Sequence, residues 1–197
     1  MKLYGTPRSH FARRARLLLD HLSADYEMID VGNVATLDEA VFHKNPMMVV
    51  PVFEDGDVWL IDSDHICQYV ARKLDPADRY RTLSTDPDHL NMRAMMRGVM
   101  DHEVRILMAR RLGGNTDGMA YFDKAKKVYE QGLKWVEDHN ALFDLQNPGD
   151  LEFHLVCMWQ HLKFFSGFDL PDYDIGRYAA DLAAREIFRK SAMPEEL

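Results

Sequence analysis

The first 75 residues alternate between the two periodicities that distinguish strands from helices. Short alternating runs predict strands at residues 2–5 and 26–30. Between them, a predicted helix begins at Ser9 and runs to about His21. Its apolar stripe has helical spacing and consists of Phe11, Ala15, Leu18, Leu19 and Leu22. Because a helix joins the two strands, the sequence favours a parallel pair with a right-handed crossover.

A hairpin and a further helix complete this N-terminal pattern. Residues 37–43 predict a short helix, and strands at 49–54 and 58–61 flank an Asp-Gly-Asp turn at 55–57. A helix over 63–74 follows. The order β-α-β-α-β-β-α predicts a mixed four-stranded sheet, because the final hairpin must be antiparallel.

The pattern changes after residue 75. A polar stretch that contains Pro76 predicts a linker over 76–86. Only helical periodicity follows, in four segments at about 87–113, 117–143, 147–165 and 174–190. The sequence therefore predicts an α/β domain over 1–75, the linker over 76–86 and an all-helical domain over 87–197.

The composition narrows the class of protein. Of the 197 residues, 47% are apolar and 28% are charged, which is typical of a folded globular chain rather than a disordered one. The net charge of -8 argues against a nucleic-acid partner. The nine histidines show neither HExxH nor HxxxH spacing, so no metal site is expected.

The start of the chain and its cysteines bear on location. Strand-like sequence begins at Lys2, without the charged and apolar regions of a signal peptide. No apolar run approaches the ~18 residues of a membrane span. Cys67 and Cys157 are too few for a disulfide scaffold. We therefore expect a cytoplasmic protein with no membrane partner, in which both cysteines are small core residues.

Three segments, in this order and spacing, resemble the glutathione transferase family. Residues 9–17 (SHFARRARL) are similar to the catalytic turn and first helix of serine- or cysteine-type members of the zeta and omega classes. Residues 45–53 (NPMMVVPVF) are similar to the segment that holds the family's cis-proline. Residues 62–69 (DSDHICQY) are similar to its acidic-Ser motif and the following helix. The resemblance implies a thioredoxin-like domain followed by an all-helical domain, a homodimer, and glutathione as co-substrate.

The resemblance implies that Ser9 is the catalytic residue. A free thiol has a pKa of about 8.5, and a hydroxyl donor beside the sulfur at a helix N-terminus favours the thiolate. Serine is also a favoured N-cap, so Ser9 could serve the helix alone. The catalytic position of tyrosine-type members falls on Gly5 here, and Tyr4 should face the other side of the sheet. No cysteine lies in this turn, which argues against omega-type thiol–disulfide chemistry.

The same resemblance implies a set of glutathione-binding residues. Val50 would present its backbone N–H and C=O to the tripeptide if Pro51 is cis, whereas a trans proline on an edge strand is the general expectation. Ser63, at a helix N-terminus, would hold the γ-glutamyl carboxylate, and Asp62 or Asp64 would receive the ammonium group. The alternative is that Ser63 and its acidic neighbours only cap the helix.

Two positions depart from the zeta-like pattern at the other end of the tripeptide. Met48 and Val49 stand where a Lys and a Gln occur in that class, so the glycyl end lacks obvious polar partners. Arg8, His43 and Lys44 are possible substitutes. An apolar segment here is the main sequence feature that argues against tight glutathione binding.

A methionine-rich stripe on the first long helix is the candidate contact for a hydrophobic co-substrate. In the family this helix lines the substrate cleft, and flexible Met96 and Met100 would suit ligands of varied shape. Core packing between the two domains would give the same spacing.

The leading hypothesis is therefore an enzyme that conjugates or isomerises a small hydrophobic electrophile with glutathione, with the thiolate stabilised by Ser9. The alternative is a non-catalytic adaptor of the same fold that binds a protein partner, as the stringent starvation protein A does. The intact Ser9 and Ser63 favour the enzyme, and the apolar Met48 and Val49 favour the adaptor.

Overall fold

The computed structural model describes residues 1–165 and 169–194, which fall into two compact units. Met1–Leu83 and the C-terminal segment from Asp181 onward make the first unit, and Ser84–Ala180 make the second. The division near residue 83 falls inside the predicted linker over 76–86. By its contacts the C-terminal segment belongs to the first unit, and the domain bounds of 1–75, 76–86 and 87–197 stay a prediction.

The first unit contains the predicted mixed sheet. Its strands are β1 (Lys2–Gly5), β2 (Glu27–Asp30), β3 (Val52–Asp55) and β4 (Val58–Ile61). The strand order is β2-β1-β3-β4, with β1 parallel to β2 and antiparallel to β3. The hairpin of β3 and β4 is antiparallel, as its turn sequence predicts.

Two helices cover the sheet in this unit. They are α1 (His10–His21) and α2 (Ser63–Leu74), both close to the predicted bounds. A short 3-10 helix over Glu39–Phe42 replaces the longer helix predicted at 37–43. The core side chains are almost completely buried and include Leu3, Leu17, Leu18, Leu19, Phe53, Ile66 and Val70. Each such side chain stabilises the fold by about 1.5–3 kcal/mol relative to exposure.

Gly5, the last residue of β1, allows α1 to lie close to the sheet. A Cβ at this position would come within 2.7 Å of the Cβ of Ala12 on α1. Side-chain atoms do not approach so closely, so even an alanine would force α1 or β1 to shift. Position 5 therefore accepts no larger side chain without a change in the packing of α1 on the sheet.

The remaining elements are helices. They are α3 (Pro87–Arg111), α4 (Ala120–Asp138), α5 (Asp150–Phe165), α6 (Asp174–Ala183) and α7 (Glu186–Arg189), with a 3-10 turn at Asn140–Leu142. Within the described residues no strand follows β4. The single helix predicted at 174–190 is divided into α6 and α7, and α7 packs against α1 in the first unit.

Buried charged groups in the second unit join α3 to α5. The carboxylate of Glu103 lies 3.1 Å from Nε2 of His161, and that of Asp150 lies 2.9 Å from Nε of Arg93. All four side chains are less than a tenth exposed. Pairing offsets part of the cost of burying these polar and ionisable groups. None of the helices in the described part of the chain combines the length and apolar character needed to cross a lipid bilayer.

Candidate functional site

Three loops of the first unit meet at one end of the sheet. In the β1–β3 register Tyr4 lies opposite Val52, so the loop that leaves β1 is next to the loop that enters β3. In the β3–β4 register Val52 lies opposite Ile61, so the loop that leaves β4 adjoins them. The topology therefore brings residues 6–9, 50–51 and 62–63 to the same edge.

Ser9 is the N-cap of α1 and lies in the first of these loops. Its Oγ accepts a hydrogen bond from the N–H of Ala12 at 3.2 Å, and its own N–H donates to Thr6. The cap predicted from the sequence is therefore present. Within the described residues the hydroxyl accepts this bond and donates none, so its proton remains available to a ligand. Capping and ligand binding are thus compatible at this residue.

Tyr4 forms contacts away from the three loops, as its position on the strand predicts. Its hydroxyl donates to Oε2 of Glu54 at 2.8 Å, and its ring stacks on His43. Burial and this hydrogen bond to Glu54 raise the pKa of Tyr4 to about 12. The phenol is therefore neutral near pH 7 and already donates its proton within the protein.

The second loop carries the expected cis bond between Val50 and Pro51. Asn45, which is almost fully buried, organises this loop through three hydrogen bonds. Its Nδ2 donates to the carbonyl of Val49 at 2.7 Å, its Oδ1 accepts from the N–H of Met47, and its carbonyl accepts from the N–H of Met48. The backbone N–H and C=O of Val50 bond to no other described residue, so both can pair with an extended ligand.

The third loop ends at the N-terminus of α2. Asp62 is the N-cap, and its Oδ1 accepts from the N–H groups of Asp64 and His65. Its φ of 74 lies in the left-handed region, which turns the chain sharply from β4 into α2. Ser63 is the first helical residue, and in the described part of the chain neither its N–H nor its hydroxyl has a hydrogen-bond partner. Two donors at a helix N-terminus form a suitable site for a carboxylate.

The charged residues near the cis-proline loop already contact one another within the protein. Glu54 accepts from Lys44 at 2.7 Å and lies 3.0 Å from Nε2 of His43. Hydrogen bonds from Lys44, His43 and Tyr4 lower the pKa of Glu54 to about 2. His43 and Lys44 already contact Glu54, and their role at the glycyl end of the tripeptide stays a prediction. Arg8 stays a prediction for that role.

The candidate cleft methionines are inside the protein. Met96 and Met100 on α3 have no exposed surface, and Cys67 and Cys157 are equally buried. The cysteines are the core residues that the sequence predicts. Both roles considered for the methionines, packing between the two domains and contact with an electrophile, stay predictions.

Two features of this end of the unit escaped the sequence analysis. Asn45 shapes the cis-proline loop, and the only sequence signal is the Asn-Pro pair that favours a turn. Arg14 on α1 forms an ion pair with Asp64 on α2, which rules out Asp64 as an uncommitted partner for a ligand ammonium. The arginine stretch on α1 suggested salt bridges, but no local pattern indicates a partner fifty residues away.

Comparison with known proteins agrees with this architecture. Residues 3–77 match the family model described as "Glutathione S-transferase, N-terminal domain". Glutathione S-transferase 1 of Zea mays is 36% identical over 78 residues, which are 39% of this chain and 36% of the maize protein. This chain is thus matched to little more than a third of the length of that relative. A glutathione S-transferase of Hyoscyamus muticus is 28% identical over 97% of both chains.

The solved structures extend the likeness to the whole chain. A glutathione S-transferase from Methylobacillus flagellatus, crystallised with glutathione bound, superimposes with a TM-score of 0.79 at 23% identity. The alignment covers 98% of this chain and 99% of that one. This protein therefore has the glutathione S-transferase fold, and its residues 3–77 resemble the N-terminal domain of that family.

Proposed function

We propose that the protein is a glutathione transferase whose site is built by the three loops at the end of the sheet. One observation carries the proposal. Among the described residues, the loops at this edge offer a ligand a serine hydroxyl at each of two helix N-termini and the backbone of Val50 between them. They match the thiol, the carboxylate and the peptide group of glutathione in kind and in order.

Ser9 would supply the chemical step. Its hydroxyl donates to the sulfur and stabilises the thiolate relative to the thiol, and the N-terminus of α1 adds a favourable field. The thiol proton passes to solvent, and the thiolate attacks the electrophile to form a carbon–sulfur bond. In conjugation a leaving group departs or a carbanion is protonated; in isomerisation the thiolate is released again after the double bond has changed geometry.

Ser63 and Asp62 would bind the γ-glutamyl end. The N–H and hydroxyl of Ser63 donate to the carboxylate at the N-terminus of α2. Asp62, the N-cap of α2, adjoins Ser63 and would receive the ammonium group. Val50, beside Pro51, would pair its backbone with the peptide group of the ligand, as in β-strand addition.

The other parts of the proposal follow from the resemblance alone. They are a small hydrophobic electrophile, a cleft contact by Met96 or Met100, a homodimer and a cytoplasmic location. The assignment to the serine-type subclass also follows from the resemblance alone.

A second candidate is a non-catalytic adaptor, and one observation favours it. Met48 and Val49 are apolar, Val49 is 54% exposed, and the neighbouring Lys44 and His43 contact Glu54. The glycyl carboxylate of glutathione would therefore find little charge to bind. Weak or absent glutathione binding is the outcome that separates the adaptor from the enzyme.

Calorimetric titration with reduced glutathione tests the proposal, with Ser63→Ala as the informative variant. Loss of a hydroxyl that donates to a carboxylate costs about 1.5–3 kcal/mol, so the dissociation constant should rise roughly 10- to 150-fold. Thr85→Ala is the matched control, because it removes an exposed hydroxyl outside the first unit. Absence of binding to the unmodified protein at millimolar ligand would contradict the enzyme and favour the adaptor.

A further inference from the structure

The arginine stretch at the start of α1 holds this helix from two sides. The Nε of Arg13, a buried residue, donates to the carbonyl of Ser191 at 2.9 Å, and Arg16 donates to the carbonyl of Lys190 at 2.8 Å. Both carbonyls follow α7 in the C-terminal segment. Arg14 points elsewhere and forms its ion pair with Asp64 at the start of α2. The stretch therefore connects α1 to two separate parts of the first unit.

The ion pair of Arg14 and Asp64 joins the two helices that carry the candidate site. Asp64 directly follows Ser63, and Arg14 lies five residues after Ser9 on α1. At ~1.5 Å per residue, the pair is about 7 Å along the helix from Ser9. The side chain of Arg14 is 2% exposed and that of Asp64 is 14% exposed, so solvent screens this contact little.

Stability alone is a weak reason for this contact. Two apolar side chains of similar volume generally hold a pair of helices together as well as a buried ion pair does, because they avoid the cost of removing charge from water. An arginine and a carboxylate also fix the relative orientation of the two helices. The N–H groups of the planar guanidinium donate to a carboxylate only in a narrow range of geometries. A fixed geometry matters most where two groups must contact one ligand.

We propose that Arg14 and Asp64 are positioning residues that set the separation of Ser9 and Ser63, so that one tripeptide reaches both hydroxyls. The inference rests on the proposed function, because it explains how the distance between the two serines of that site is maintained. A misplacement of ~1 Å can reduce a rate about hundredfold, so the contribution of such a pair is measurable. Neither residue contacts the ligand in this account.

The test uses variants of the full chain, with binding and acidity measured separately from stability. Asp64→Asn and Arg14→Lys should each weaken glutathione binding about tenfold or more, and should raise the pKa of the bound thiol, because Ser9 and Ser63 no longer fit the ligand together. The control is Lys73→Gln, which breaks the ion pair of Lys73 with Asp55 at the opposite end of α2. It should leave both ligand properties unchanged even if the melting temperature falls.

An apolar replacement separates positioning from simple support. The double variant Arg14→Met with Asp64→Leu should fold and melt near the temperature of the unmodified protein. Positioning predicts that this stable variant binds glutathione about tenfold more weakly, and it keeps the test decisive if the single variants fail to fold.

Three results would overturn the inference. Normal glutathione binding and a normal thiol pKa in the apolar double variant would show that the ion pair only stabilises the fold and does not position the serines. Equal weakening of binding by Lys73→Gln would show that any loss of stability has the same effect. Absence of glutathione binding by the unmodified protein would remove the proposed function and this inference with it, whereas the first two results leave the proposed function intact.

Discussion

Replacement of Ser9 separates its two roles, because alanine and glycine differ as helix caps but both lack the hydroxyl. The Oγ of Ser9 accepts from the N–H of Ala12 at 3.2 Å, which is the long end of the hydrogen-bond range. Ser9→Ala should therefore cost about 1 kcal/mol of stability, and Ser9→Gly only a few tenths. The two variants should thus melt at different temperatures.

The effect on the thiol should be the same in both variants. A hydrogen bond to a charged group contributes about 1.5–3 kcal/mol, which corresponds to a rise of roughly 1–2 units in the pKa of the bound thiol. At a pH below the pKa of the thiol bound to the unmodified protein, the turnover of both variants should be about 10- to 150-fold lower. The assay is a pH titration of the ultraviolet absorbance of bound thiolate, together with thermal melts of all three proteins.

The result that refutes this reasoning is an unchanged thiol pKa in Ser9→Gly. Ser9 would then be only a cap, and another donor would have to act on the sulfur. A loss of activity that tracks the melting temperature, larger in Ser9→Ala than in Ser9→Gly, would lead to the same conclusion.

Two further predictions concern the framework of the site. Gly5→Ala should destabilise the protein by about 1–3 kcal/mol, because the new Cβ would lie 2.7 Å from that of Ala12; a denaturant midpoint equal to the unmodified one would contradict this. Glu54 has its pKa lowered to about 2, chiefly by Lys44. Its stabilising contribution is therefore present above the ordinary carboxyl pKa of about 4.3 and is lost as the pH falls toward 2. In Glu54→Gln the free energy of unfolding should therefore change less between about pH 4.3 and pH 2 than in the unmodified protein. The same pH dependence in both proteins would contradict this prediction.

The local elements of the fold were predictable because their signals lie within a few residues. The cap at Ser9 and the Gly-Asp turn between β3 and β4 appear as the sequence indicates. In the apolar stripe predicted for α1, Phe11 and Leu22 are only half-buried, whereas the other members are buried. The strand predicted from residue 49 begins only at Val52, because Met48 has a positive φ and Asn45 holds residues 47–49 in a turn through its hydrogen bonds. The cis bond itself was expected from the resemblance alone.

Contacts between distant segments were not predictable from one sequence. The C-terminal segment looked like the end of a long helix, yet it lies in the first unit, where its carbonyls accept from Arg13 and Arg16. The pairing of Lys44 with Glu54 likewise depends on the register of the sheet. Long-range ion pairs have no periodicity that a sequence can reveal, and these pairs decide which charged residues remain for a ligand.

Chemical-shift mapping of backbone amides during titration with reduced glutathione tests the central claim most directly. The account predicts that the largest changes occur at Ser9, Val50 and Ser63, at one end of the sheet, and that Ser63→Ala abolishes them at sub-millimolar ligand. Changes confined to the second unit, or no changes at several millimolar glutathione, would contradict it.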